Sequence, residues 1–194
     1  MNYVLATANQ DKVSELVKIL GDDIQLTARP RWVPEVIEDS DSLVGNARLK
    51  ARALLGATET ASLADDTGLF VDALGGDPGV LSARFAGEGA SYADNVAALL
   101  DAMAGMENRR CEFRTAAFMA CPCGAELWVE SRLAGSIAGH PLGTGGFGYD
   151  PVFLPEGGGG RSFSEMTPEE KNASSHRFRA FSGLGILLRF HTHP

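Results

Sequence analysis

Long apolar runs are missing from this 194-residue sequence. No stretch approaches the roughly 20 residues that cross a bilayer, so a membrane-spanning helix is not expected. Cysteine is scarce: three residues, an odd number, which points to a reducing compartment. Only Cys121 and Cys123 lie close together, as CPCG. With no second spaced pair a zinc site is set aside, and a turn joining two strands is expected. The four histidines form no H-E-x-x-H or other metal-ligand spacing. Basic residues are outnumbered, 17 Lys and Arg against 25 Asp and Glu, for a net charge of −8. A protein that binds duplex nucleic acid carries a basic face, so no nucleic-acid partner is expected. A small anionic ligand is still compatible, because a pocket can be basic on an acidic surface. The opening MNYVLATANQDK lacks the basic region and apolar run of a secretory signal, and a cytoplasmic protein is expected.

What is present is ordinary for a globular chain, 44% hydrophobic and 22% charged residues, enough for a single domain over residues 1–194. The 23 glycines cluster at 75–76, 87–89, 143–148 and 157–160, between patterned segments, and mark loops. Tyr3–Ala6 reads as a short buried strand. Val13, Leu16, Val17 and Leu20 recur at helical spacing, and Gly21 ends that helix. A second strand fits Ile24–Ala28, and a helix fits Ser42–Leu55. Ala61–Ala64 is a short strand that stops at Asp65-Asp66. A third helix covers Tyr92–Met106. Two long strands, Cys111–Ala120 and Glu126–Ile137, flank the CPCG turn as a hairpin. Thr167-Pro168-Glu169-Glu170 opens a final helix with a capping box and an N-terminal proline. The pattern is α/β with a mixed sheet.

Four segments can carry chemistry. The polar loop Thr7-Ala8-Asn9-Gln10-Asp11-Lys12 leads from a strand into a helix N-terminus, whose amides and dipole suit phosphate. No Walker loop is present. Gly143–Gly148 matches G-x-G-x-x-G, but Tyr149-Asp150-Pro151 follows as a turn where a dinucleotide fingerprint needs a helix. Phe147, set among glycines, can still stack on a flat ligand. Asp65-Asp66 at a strand end, with Glu38 in the other acid-rich stretch, suits Mg2+. Lys171, His176 and Arg177 fall on or beside the capped C-terminal helix. Together these segments fit one ligand, a nucleoside polyphosphate with Mg2+.

At these residues the sequence resembles the inosine/xanthosine triphosphate pyrophosphatases, which remove deaminated purine nucleotides from the nucleotide pool. The resemblance rests on ATANQDK (6–12), ADDTGLFVDALGGDPGVLSARFA (64–86), GFGYDPVF (146–153) and EMTPEEKNASSHR (165–177). It implies an elongated α/β fold with two lobes around a central cleft, and a homodimer. It implies that Thr7, Asn9 and Lys12, with loop amides from Ala8 to Asp11, hold the triphosphate. Glu38 and Asp66 become the Mg2+ ligands, and Asp66 also the proton acceptor. Lys50 and Thr67 contact substrate. Phe147, Gly148, Tyr149, Asp150, Lys171, His176 and Arg177 match positions that recognise the base and bind substrate. Three positions depart from the family pattern: Ala8 for a usual Gly, Thr67 for a common Ser, and Gly45 for a frequent Glu before Asn46.

The implied reaction is hydrolysis of ITP, dITP or XTP to the monophosphate and pyrophosphate. Lys12 would offset charge on the leaving pyrophosphate. Two alternatives stay open: a related pyrophosphatase preferring pyrimidine or modified bases, and an inactive nucleotide-binding protein.

Overall fold

The computed structural model describes residues 2–7, 9–21 and 24–191, with only the backbone of Gln10 and Asp11. In chain order the elements are β1 (Asn2–Leu5), α1 (Gln10–Leu20), β2 (Gln25–Thr27), α2 (Leu43–Thr58), β3 (Ser62–Val71) and β4 (Pro78–Gly79). Then follow α3 (Tyr92–Ala102), β5 (Arg110–Ala120), β6 (Glu126–Ile137), β7 (Phe153–Pro155), α4 (Pro168–Ser174) and α5 (His176–Phe190). The strands run in the order β2-β1-β3-β5-β6-β7, with β4 beside β3. β1 is parallel to β2 and β3, whereas β4 and β7 are antiparallel to β3 and β6. The sheet is mixed and the class α/β, as expected. No helix among the described residues is long and apolar enough to cross a membrane.

The chain forms two compact units, one of Met1–Asp66, Thr115–Ser131 and Arg177–Pro194, the other of Thr67–Arg114 and Arg132–His176. In the first unit, Tyr3 and Leu5 of β1 are buried with Leu16 and Leu20 of α1 and with Phe181, Leu184 and Leu188 of α5. The second unit has its own core, built on Leu69, Leu99, Phe113, Val152, Phe153 and Phe163.

Local chemistry explains most of the boundaries. Asn9 accepts the Lys12 N–H at 3.3 Å and so caps α1. Gly21, at φ +71°, takes the left-handed turn that ends it. Ser42 caps α2 through the Gly45 N–H, and Ser91 and Asp94 form the capping box of α3. The CPCG hairpin is where the sequence puts it.

Three expectations are corrected. The strand expected to stop at Ala64 continues through Asp65 and Asp66 to Val71. Thr67, Leu69, Phe70 and Val71 are good strand formers, and each Asp finds a cationic partner, so neither needs water at a strand end. The C-terminal helix is two helices. Ser175, with ψ 151°, ends α4 and α5 begins at His176. α3 is also shorter than its periodicity suggests, because Met103 leaves the helix while staying buried.

Candidate active site

In the first unit, the loop entering α1 is held by its own side chains. Thr7 Oγ1 accepts the Asn9 N–H at 3.1 Å, and Asn9 caps the helix behind it. Ala8 lies outside the described residues, as do the side chains of Gln10 and Asp11. Lys12 follows in the first turn of α1, its Nζ 3.0 Å from Asp65 Oδ2. A polar cavity of about 250 Å³ opens beside this loop, lined among others by Thr7, Asn9, Lys12, Glu38, Lys50 and Asp65. Five sequence-predicted positions therefore meet at one pocket with Asp65.

β3 supplies two acids in succession, and successive side chains on a strand point to opposite faces. Asp65 lies 3.0 Å from Lys12 and 3.6 Å from the Arg177 Nε. Burial works to raise its pKa, but Lys12, Arg177 and Lys50 outweigh burial and hold it well below the ordinary carboxylate value. Asp66 accepts from Asn46 Nδ2 at 3.2 Å and from Lys50 Nζ at 3.1 Å. Burial pushes its pKa up, Lys50 opposes this, Glu38 adds to it, and the net direction is upward. Lys50 also lies 3.1 Å from Glu38 Oε2. Burial alone would lower the Lys50 pKa, yet Asp66, Asp65 and Glu38 keep it above its ordinary value.

Glu38 and Asp66 thus converge on one ammonium nitrogen, which marks a point where positive charge is favoured. Two carboxylates offer the hard oxygen donors that Mg2+ takes, and the upward shift of Asp66 is what an added cation would relieve. The residues present fit that ion. Asn46 was missed from sequence. It is 1% exposed, accepts the Ser40 N–H at 3.0 Å, and so ties the acid-rich segment to Asp66. Gly45, the departure just before it, has a steric reason: a Cβ there would run into the Ser40 side chain.

Arg177 is 3% exposed, with Nη1 2.6 Å from Glu15 Oε2. Its guanidinium is engaged with Glu15 and Asp65 inside the first unit.

The remaining predicted residues belong to the second unit. Asp150, buried, accepts the Phe147 N–H at 2.8 Å and the Lys171 ammonium at 2.7 Å. Gly146, at φ +71°, lies so close to that carboxylate that any Cβ would collide with it. Lys171 Nζ sits 4.5 Å from the centroid of the Phe147 ring, within cation–π range. Tyr149 donates its hydroxyl to the Ser82 carbonyl at 2.9 Å, and burial raises its pKa. Its polar group is used inside the core. His176 stacks on Phe113 with centroids 4.5 Å apart. A second cavity, of about 570 Å³, is lined by Tyr92, Val96, Thr144, Phe147, Gly148 and Pro151 among others. Its glycines and aromatics suit a flat ring. Thr67 begins this unit's share of β3 and is half-buried.

These features define a class: an α/β protein with one polar pocket of paired acids and lysines and a second, more apolar pocket. Comparison with known proteins agrees. Residues 3–185 match the model of the Ham1 family. A dITP/XTP pyrophosphatase of Streptomyces coelicolor is 44% identical over 96% of this chain and 96% of its own. A HAM1 protein structure from Coxiella burnetii superposes with TM-score 0.89 at 34% identity, covering 98% of this chain and 100% of that one. The structure of a nucleoside-triphosphatase, dITP/XTP pyrophosphatase, from Mycobacterium abscessus gives TM-score 0.76 at 43% identity, over 95% and 98% of the two chains. The chain belongs to the Ham1 family, in line with the resemblance its four segments carry.

Proposed function

We infer that this protein hydrolyses the triphosphates of deaminated purines, ITP, dITP and XTP, between the α and β phosphates, releasing monophosphate and pyrophosphate. The observation that carries this reading is the gathering of two acids of β3 with two lysines beside the α1 loop. Asp65 pairs with Lys12 and Arg177, Asp66 pairs with Lys50 and Asn46, and Lys50 also reaches Glu38. Relatives named dITP/XTP pyrophosphatase match this chain over nearly its whole length.

In this reading the Thr7–Lys12 loop binds the triphosphate at the positive end of α1. Lys12 offsets charge on the leaving pyrophosphate, and Lys50 contacts the phosphates. Asp66 accepts a proton from the attacking water. Glu38 and Asp66 would hold Mg2+, which would supply Lewis-acid polarisation of the phosphate oxygens. Arg177 acts through Asp65, keeping it ionised beside Lys12. Thr67 offers a hydroxyl to the substrate. Phe147 stacks on the base, Gly148 lets it approach, and Tyr149, Asp150, Lys171 and His176 hold the recognition loop and its surroundings in place.

Two further parts of the proposal concern setting. A nucleotide-pool enzyme works in the cytoplasm, where its substrates are made. A homodimer would cover apolar side chains left exposed in the first unit, such as Trp128, Ile186 and Phe190, and would show a solution mass near twice 20.5 kDa.

The deciding experiment is a nucleotide panel with Mg2+ in which the products are identified. Pyrophosphate and monophosphate from ITP, dITP and XTP, with orthophosphate only after a separate inorganic pyrophosphatase is added, supports the reading. Direct release of orthophosphate and a diphosphate overturns the assigned bond. Faster turnover of pyrimidine or modified-base triphosphates would redefine the substrate. Binding without turnover would leave a nucleotide-binding protein.

A further inference from the structure

The turn between β5 and β6 takes no part in the chemistry above, yet it gathers three reactive side chains. Cys121, buried, follows the end of β5, and Cys123, exposed, lies at the turn. Their sulfurs are joined as a disulfide, with Cα atoms 5.1 Å apart, a pairing not foreseen from the sequence. The backbone fixes both residues. Cys121 N–H donates to the Ala125 carbonyl at 3.0 Å, and Gly124 N–H donates to the Cys121 carbonyl at 2.9 Å. Cys123 N–H donates to Cys121 Sγ at 3.2 Å. His191 joins them from 68 residues away, its Nε2 3.4 Å from Cys123 Sγ. Its own N–H donates to the Leu187 carbonyl at 3.0 Å, so the last turn of α5 holds it in place. One ligand atom from each of the three residues lies within 4.8 Å of the others.

We propose that Cys121 and Cys123, as thiols, form with His191 a zinc site in which water fills the fourth position. Thiolate and imidazole together are a zinc-type donor set. Zn–S bonds of about 2.3 Å and Zn–N bonds of about 2.0 Å place tetrahedral ligand atoms roughly 3.5–3.8 Å apart. The Cys123–His191 pair, at 3.4 Å, nearly meets that spacing already, and only the two sulfurs must part. Two-electron reduction of the disulfide by a thiol or phosphine, with uptake of two protons, parts them. Zinc then displaces those protons from the thiols. The amide that donates to Cys121 Sγ favours the thiolate. The bound ion would clasp the end of α5 to the β5–β6 turn, and the disulfide and the zinc site are mutually exclusive states of one pair. Cys111 takes no part: it is buried, and burial pushes its thiol up to about 12.

The test uses the full chain, reduced with a phosphine under argon and freed of reductant. It is given zinc in the presence of excess Mg2+, so that carboxylates do not retain zinc, then dialysed for metal analysis. Wild type should keep about one zinc per chain, with affinity falling at least ~10-fold in Cys123→Ser and in His191→Ala. Cobalt should give a sulfur-to-metal charge-transfer band that weakens in Cys123→Ser, where one thiolate remains. Both substitutions lie outside the tight core, and circular dichroism checks that the variants fold. Reduced wild type that holds no zinc, or folded variants that hold as much as wild type, would overturn the proposal.

Discussion

Asp65 and Asp66 are consecutive in β3 but take their partners from different helices, Asp65 from Lys12 of α1 and Arg177 of α5, Asp66 from Asn46 and Lys50 of α2. The alternation of a strand thus turns two identical side chains into two unlike ones. One is pinned as an anion, and the other is shifted toward the neutral acid.

Asp66→Asn keeps the size of the side chain and an oxygen for Lys50, but removes the proton acceptor and a metal ligand. Turnover should fall by about 10²–10⁴-fold, while the urea midpoint stays near that of wild type. A folded variant with wild-type kcat at saturating Mg2+ would take Asp66 out of the mechanism.

Asp65 should matter for stability. Asp65→Asn leaves the Lys12 and Arg177 charges partly uncompensated in a buried setting, at a cost of about 3–5 kcal/mol. The sign with pH follows from its lowered pKa. The folded protein holds the proton more weakly than the unfolded chain, so the stabilisation is complete above about pH 4 and is lost as pH falls toward the folded value. Urea titrations at several pH values should show the gap between wild type and Asp65→Asn narrowing in acid.

Arg177→Ala should act on every substrate alike. Its guanidinium is engaged with Glu15 and Asp65, so its loss should lower stability and reduce kcat/KM for inosine, adenine and guanine nucleotides by similar factors. A loss confined to 6-oxo purines would instead assign Arg177 to base recognition.

Selectivity for the base should exceed selectivity for the sugar. A pocket that donates to the 6-oxygen meets a second donor when adenine enters, and sites built on such bonds reject the mismatch by up to about 10⁴–10⁵. Guanine shares the 6-oxygen, so the margin over GTP should be smaller. Phe147→Ala should raise KM for every base by removing a stacking surface. Steady-state kinetics on ITP, dITP, XTP, ATP and GTP measure all three.

What could be read from sequence was local. The 3.6-residue spacing in α1, the Thr167 box and the CPCG turn depend on neighbours a few residues away, and each appears where expected. What could not be read needed distant partners. Nothing near Asp65 in sequence announces that Lys12 and Arg177 will neutralise it and let the strand run on. Asn46 looks like one more polar helix residue until its amide is found between Ser40 and Asp66. His176 and Arg177 are adjacent in sequence, yet the first packs on Phe113 and the second joins Glu15 and Asp65. His191 and Cys123 share no motif at all.

The first strand of this chain is buried by its last helix: Tyr3 and Leu5 share a core with Phe181, Leu184 and Leu188. A ribosome therefore delivers β1 and α1 long before α5, and part of their apolar surface waits uncovered until α5 has emerged. Closure over so long a separation is a slow step in folding. It also makes α5 an unsuitable place for trimming: a truncation before Phe181 would strip the cover from Tyr3 and Leu5, and would leave a chain prone to aggregate rather than a shorter enzyme.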